Sequence, residues 1–401
     1  MARATYGFGT RCNGKNRLQT AVALYEPPVV FVSAPLGAQA HANFGARCGS
    51  WTWPASGMPK TRDVTMQALA ERTREACTTA GRWSLTFSQS SHKEVTVPIE
   101  QVSPELERIV SLDQEVEELG SGYIVGEGPL WWQEGGYLLF SEVRGNRRRK
   151  WAPGEGVTVL QEPTNNANGL TRDPQGRLIM CEGGARRVTR MEPDGSVTVV
   201  AHSYHGRRLN RPNDVVVKSD GSIYFTDPGG PSPELDLDFS GVYRVSPDLG
   251  SINLVVRDFV LPNGLAFSPD ERILYINDSQ GVTVREDDIF SSVGHIKAFD
   301  VRSNGMLANG RVFCALRGER TGIPDGMKVD VEGHVYCTGP GGVWIMDTSG
   351  THLGTIITGV AHTTNLAWGG ADWKTLYMTN LASLARIQLK IAGIPVPCKR
   401  V

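Results

Sequence analysis

The 401-residue chain lacks most of the features that announce a function at once. No apolar run reaches the ~18 residues a membrane-spanning helix needs, so no span is expected. Neither sign of charge prevails: 41 Lys and Arg stand against 42 Asp and Glu, a net charge of -1. That removes the electrostatic footprint expected of a nucleic-acid or anionic-membrane binder. Cysteine is sparse and odd in number, seven residues with no Cys-x-x-Cys pair. A zinc ribbon and a disulfide framework are both disfavoured, and buried free thiols in a reducing, cytoplasmic compartment are the expectation. The eight His are scattered without helical ligand spacing. There is no Gly-x-Ser-x-Gly elbow, so an α/β-hydrolase nucleophile is not expected.

What is abundant is turn chemistry, with 46 Gly and 23 Pro. Much of it belongs to one recurring phrase: a polar residue, a small strand, a polar turn and a second strand. The clearest copy is Leu261-Pro262-Asn263-Gly264-Leu265, then Ser268-Pro269-Asp270, then Ile273-Leu274-Tyr275. Asn213 heads a similar phrase with Ser219-Asp220-Gly221 and Ile223-Tyr224-Phe225, and Asp325 heads another with Val335-Tyr336-Cys337. Further copies begin at Asn168, and more weakly at Glu127 and Asn365. Successive leading residues lie 41, 45, 50, 62 and 40 positions apart. A self-similar unit of roughly 40–50 residues built of short strands is the mark of a β-propeller blade, so an all-β, six-bladed propeller is expected. The first strand of a blade lines the central channel. Six leading residues, Glu, Asn, Asn, Asn, Asp and Asn, would then converge on one axis as a ring of oxygen donors suited to a hard cation. For an isolated Asn-Gly, turn formation would be sufficient reason; it is the repetition that points to a site.

Residues 1–95 do not share this pattern. They read as an N-terminal extension, either poorly structured or lying upstream of the true start, with one candidate helix over 64–80. Residues 96–401 form the propeller. Blade six has three strands before the chain ends, and the segment Leu106 to Leu112 is the expected fourth strand that closes the ring. The basic run Arg147-Arg148-Arg149-Lys150 is expected to split between the two faces of a strand.

In this order and at these spacings, Gly126-Glu127-Gly128-Pro129, Arg211-Pro212-Asn213-Asp214, Phe225-Thr226-Asp227-Pro228, Pro262-Asn263-Gly264-Leu265, Pro324-Asp325-Gly326-Met327 and Gly339-Pro340-Gly341-Gly342 resemble the senescence marker protein, regucalcin and gluconolactonase family, in particular its bacterial gluconolactonase-type branch. The resemblance covers roughly residues 100 to 390. It implies one divalent cation held by Glu127, Asn263 and Asp325, with Asn213 facing the cation or its water. It also implies that Arg211, Asn213 and Asn168 meet substrate, and that the substrate is a sugar lactone. Ca²⁺ is the foremost candidate, with Zn²⁺, Mn²⁺, Mg²⁺ and Fe²⁺ as alternatives. Asp325 is the candidate base, and the cation would polarise the lactone carbonyl. Two other readings stand beside it: a related hydrolase of other lactones or phosphotriesters, and a non-catalytic calcium-binding propeller. One departure from the family pattern is Gly183, where relatives often carry His. The partner is a small molecule, with neither nucleic acid nor membrane implied and the oligomeric state left open.

Overall fold

The chain is punctuated by carboxylates that accept backbone N–H groups just ahead of them. Asp173 Oδ1 takes those of Gln175 and Arg177, Asp220 Oδ1 that of Ser222, Asp270 Oδ1 that of Arg272, and Asp330 Oδ1 those of Glu332 and His334. Such side-chain-to-backbone bonds turn the chain back on itself, and the apolar segments on either side pair as antiparallel strands. In the computed structural model, which describes residues 98–229, 232–282 and 293–397, these hairpins grow into six blades of a propeller.

Each blade runs from an inner strand outward in chain order. The inner strands are Gly126–Trp132, Ala167–Arg172, Val215–Val217, Pro262–Phe267, Met327–Val329 and Thr363–Gly369. Blades one to four take their outermost strands, Gly156–Gln161, Val197–Ala201, Ile252–Val256 and Leu307–Ala315, from the same run of chain. The apolar core lies between neighbouring sheets. Ile179 and Val188 of blade two, for example, pack with Ile223, Phe225 and Tyr243 of blade three.

Ring closure differs from the expectation. The segment around Leu106 is a 3₁₀ helix, Pro104–Arg108, and not a strand. Ser103 caps it by accepting the Glu105 N–H, and proline stands in its first turn, both helix-start signals. Leu106, Ile109 and Val110 are buried in the core of blades five and six, as a plug. The strand that completes blade six is Glu117–Ser121, which pairs antiparallel with Ser383–Gln388. A second upstream strand, Ile99–Gln101, adds a fifth strand to blade five. The N-terminal part of the propeller therefore binds two blades.

The basic run is absorbed into the blade-one sheet. Arg147 pairs with Glu162 and Arg149 with Glu142, while Arg148 is buried between blades one and two against Gln161 and Met180. Cys181, Cys314 and Cys337 are buried and unpaired, as expected. Among the described residues no helix is long and apolar enough to cross a membrane. The candidate helix over 64–80 lies outside the described residues. All described residues fall in one of the chain's two compact units, Ser91–Val401.

Candidate active site

The polar residue that heads each repeat leaves the ladder at the point where its strand begins. In blades one, two, four and six the pairing register slips there, between Glu127 and Leu130, Ala167 and Leu170, Pro262 and Leu265, and Thr363 and Asn365. In blades three and five the regular strand begins two residues after Asn213 and Asp325. A bulge of this kind re-aims a side chain, and here it turns the leading side chains toward the channel.

The glycine that follows has a separate task. Gly169, Gly264 and Gly326 donate their N–H to carbonyls at the head of the next blade: Asn213 at 2.8 Å, Asp325 at 2.9 Å and Thr364 at 2.7 Å. A Cβ on Gly264 would sit 2.2 Å from the Asp325 carbonyl oxygen, so no other residue fits. Second-strand side chains reinforce the same links. Ser141, Thr226 and Asn277 donate to the carbonyls of Asn168, Asn263 and Asp325 at 2.7, 2.8 and 2.6 Å. The motif's Asn-Gly and Asp-Gly pairs thus cinch the inner strands into a ring while presenting one polar side chain from each blade.

The amides form a directional chain. Asn168 Nδ2 donates to Asn213 Oδ1 at 2.5 Å, Asn213 Nδ2 donates to Asn263 Oδ1, and Asn263 Nδ2 reaches Ser279 Oγ at 3.0 Å. Each amide oxygen keeps a second lone pair. The acids lie deeper. Glu127, Asp214 and Asp325 are all buried, with Asn365 among them. Asn365 Nδ2 bonds Glu127 Oε2 at 3.1 Å and Asp214 Oδ2 at 3.4 Å. His362 Nε2 lies 2.8 Å from Asp325 Oδ2.

Burial raises Glu127 well above the ordinary carboxylate range, and the neighbouring Asp325 and Asp214 raise it further, against smaller opposing bonds from Asn365 and the Gly128 N–H. Asp325 is raised for the same two reasons, burial and then Asp214, with an opposing bond from Asn263. Burial lowers His362, partly offset by Glu127. Among the described residues no Arg or Lys pairs with any of these three acids. Glu127 and Asp325, both raised by burial and by neighbouring carboxylates, are a costly arrangement unless a positive charge joins them.

Of the six expected site residues, the five other than Arg211 therefore belong to this ring. Arg211 stands at its rim: its side chain is 65% exposed and Nη2 lies 3.3 Å from Glu234. It joins Asn168 and Asn213 in lining a cleft of about 850 Å³ over blades one to three. At the channel's other end the inner strands enclose a mainly apolar cavity of about 110 Å³, covered by Ile394, Pro395 and Val396. Two members of the site were missed by the sequence reading. Asp214 stood in plain view within Arg211-Pro212-Asn213-Asp214. His362, one of eight scattered His in the sequence, is largely buried against Asp325.

The family profile described as SMP-30/Gluconolactonase/LRE-like region matches residues 125–382. The chain belongs to this family. A gluconolactonase of Zymomonas mobilis is 28% identical over 365 residues, covering 85% of this chain and 95% of its own. That match takes in more of the chain than residues 98–401 hold, so it reaches into the N-terminal region. The pentonolactonase XacC of Haloferax volcanii is 26% identical over 259 residues, covering 64% of this chain and 81% of its own. The solved structure of a gluconolactonase from Xanthomonas campestris superposes with a TM-score of 0.63 at 32% identity, covering 73% of this chain and 95% of its own.

Proposed function

We propose that the chain is a divalent-cation-dependent lactonase that opens a sugar lactone of the aldonolactone type to its aldonic acid. The observation that carries this reading is the charge arrangement: Glu127, Asp214 and Asp325 are buried together, and among the described residues no Arg or Lys pairs with them. Relatives named gluconolactonase and pentonolactonase support the substrate class.

The donor set fits a cation. Among the described residues no three His, Cys, Asp or Glu side chains gather into a metal-holding cluster by themselves, so amide oxygens must complete the shell. Glu127, Asn213, Asn263 and Asp325 are the residues that would hold it, an all-oxygen set suited to Ca²⁺, Mg²⁺ or Mn²⁺. When bound, such a cation supplies Lewis-acid polarisation of the lactone carbonyl and acidifies a bound water.

The chain's own residues do the rest. The cleft admits the lactone from one side, and the far end of the channel is a smaller, mainly apolar cavity. Asn168, Asn213 and Arg211 offer amide and guanidinium donors to the substrate's hydroxyls. Asp325 Oδ2 is the proton acceptor for the attacking water. His362 Nε2, 2.8 Å from that oxygen, accepts the proton from Asp325 and delivers it to the ring oxygen as the C–O bond breaks. His362 is suited to this because burial holds it neutral near pH 7. No covalent enzyme intermediate is required.

A panel of pentono- and hexonolactones, assayed beside a phosphotriester, tests the reading. Lactone turnover lowered about 10²–10⁴-fold by Asp325→Asn is expected. Turnover of the phosphotriester alone would contradict it, and so would cation binding with no hydrolysis of either class.

A further inference from the structure

Two adjacent glycines sit in the wall of the cleft, and they are there for different reasons. Gly184 is demanded by packing: a Cβ there would lie 2.6 Å from Asn166 Oδ1 and 2.9 Å from the Asn165 carbonyl oxygen. Gly183 is not. Its φ lies outside the left-handed region. A Cβ there would meet only ordinary van der Waals neighbours, the Asn166 carbonyl oxygen at 3.6 Å, the Pro212 carbonyl oxygen at 3.8 Å and Arg211 Cβ at 4.0 Å. Neither backbone conformation nor a close neighbour requires glycine, so what its bareness provides is room beside Arg211.

That room has a chemical character. Gly183, Asn166, Arg211 and Pro212 all line the cleft. No described donor engages the carbonyl oxygens of Asn166 and Pro212, the two acceptors nearest the vacant position. Arg211 brings a guanidinium whose Nη2 is bonded to Glu234 on the rim. Free acceptors beside a guanidinium suit a polyhydroxylated group, whose hydroxyls both donate and accept. The cleft, about 850 Å³, lies toward the upper end of the ~300–1,000 Å³ typical of pockets for drug-sized ligands. A single six-carbon lactone seated over the amide ring would leave the Gly183 side of it empty.

We infer that Gly183 opens a second sugar subsite, and that the preferred substrate is an aldonolactone bearing a glycosyl substituent, the lactone of a disaccharide acid. The inference rests on the lactonase reading above and deepens it. The lactone ring meets Asn168 and Asn213, and the appended sugar lies along Gly183 between Arg211 and the two carbonyls. A side chain at position 183 would occupy the second sugar's place without touching the acids.

The test compares kcat/KM for lactobiono-δ-lactone and D-glucono-δ-lactone in the wild-type protein and in Gly183→Leu. Melting temperatures of both proteins, and of Gly183→Ala, serve as a check on folding. The wild type should use the disaccharide lactone at least as well as the simple one. In Gly183→Leu the ratio of the two kcat/KM values should fall at least about tenfold, the discrimination a few misplaced methyl groups impose in a pocket. The fall should come mainly through KM for the disaccharide lactone. An unchanged ratio overturns the inference, as does a wild type that hydrolyses only the simple lactone; both leave the lactonase reading standing. A protein inert toward every lactone overturns the lactonase reading and this one with it. Should the leucine variant melt markedly lower, the same ratio is read in Gly183→Ala, where a smaller fall in the same direction is expected and none contradicts.

Discussion

At the scale of single residues, the molecule gathers acid where burial penalises it. Asp227 illustrates the consequence outside the ring. It is buried, its carboxyl is pushed up to about 7 chiefly by burial, and it still accepts the N–H groups of Asn210 and Arg211. A carboxyl raised in the folded state binds its proton more tightly there than in the unfolded chain. Its stabilising contribution is complete below the unfolded carboxylate range, near pH 4, and is lost as pH rises through 7. Glu127 and Asp325 act in the same direction when no cation is present. Metal-stripped protein should therefore melt at lower temperature at pH 8 than at pH 5. Asp227→Asn should reduce that fall by on the order of 1.4 kcal/mol for each unit of pH between the two pKa values. A steeper fall in the variant would contradict the assignment. His362 belongs to the same scale: His362→Gln should lower kcat more than cation affinity, because glutamine can keep a hydrogen bond to Asp325 but cannot relay a proton.

At the scale of the element, the leading residues depend on carboxylates one strand away. Asp278, which pairs with Pro262 from the second strand of blade four, accepts the N–H groups of Val260 and Leu261 at 2.8 and 2.9 Å and so fixes the approach to Pro262 and Asn263. Asp227 does the same for blade three and Glu142, through the Ile124 N–H, for blade one. Removing such a brace leaves backbone donors unpaired, a cost of about 1–3 kcal/mol. Asp278→Ala should also weaken cation binding about 10–100-fold, the usual effect of removing an outer support of a metal ligand. Asp278→Asn, which keeps an acceptor, should recover most of the stability, and calorimetric titration beside thermal melts would separate the two effects. The sequence disclosed the blades well because the polar-Gly phrase and the turn after it are local signals. It concealed the closing strand. Glu117–Ser121 is polar and half-exposed, with no alternation to mark it, whereas Leu106 to Leu112 is apolar because it plugs a core. Hydrophobicity drew attention to the plug, since pairing with Ser383–Gln388 leaves no trace in the local pattern. Likewise Asp325 and Asn263 were legible through repetition, while His362 was not, because it lies in a loop outside the repeat.

At the scale of the whole molecule, six blades share one channel, and its acids stand against each other until something positive joins them. Ring closure sets the first test. A chain lacking residues 1–121 would lose both upstream strands and the buried Leu106, Ile109 and Val110, and should show no cooperative melt, while removal of residues 1–90 should leave the propeller melting as one unit. The charge arrangement sets the second. Cation binding to the folded state alone should raise stability by about 2.7 kcal/mol at a hundredfold excess over Kd, and the gain should vanish in Glu127→Gln.

The central claim is that the buried acidic ring holds one divalent cation that the lactonase reaction requires, and a pH-stat assay tests it most directly. Metal-stripped protein is given D-glucono-δ-lactone and lactobiono-δ-lactone, and Ca²⁺, Mg²⁺, Mn²⁺, Zn²⁺ or Fe²⁺ is then added back in steps. The account predicts turnover above the spontaneous rate that appears only with cation, saturates at one equivalent, and is absent in Glu127→Gln and Asp325→Asn. Full turnover in the stripped protein, or undiminished turnover in both variants, would contradict it.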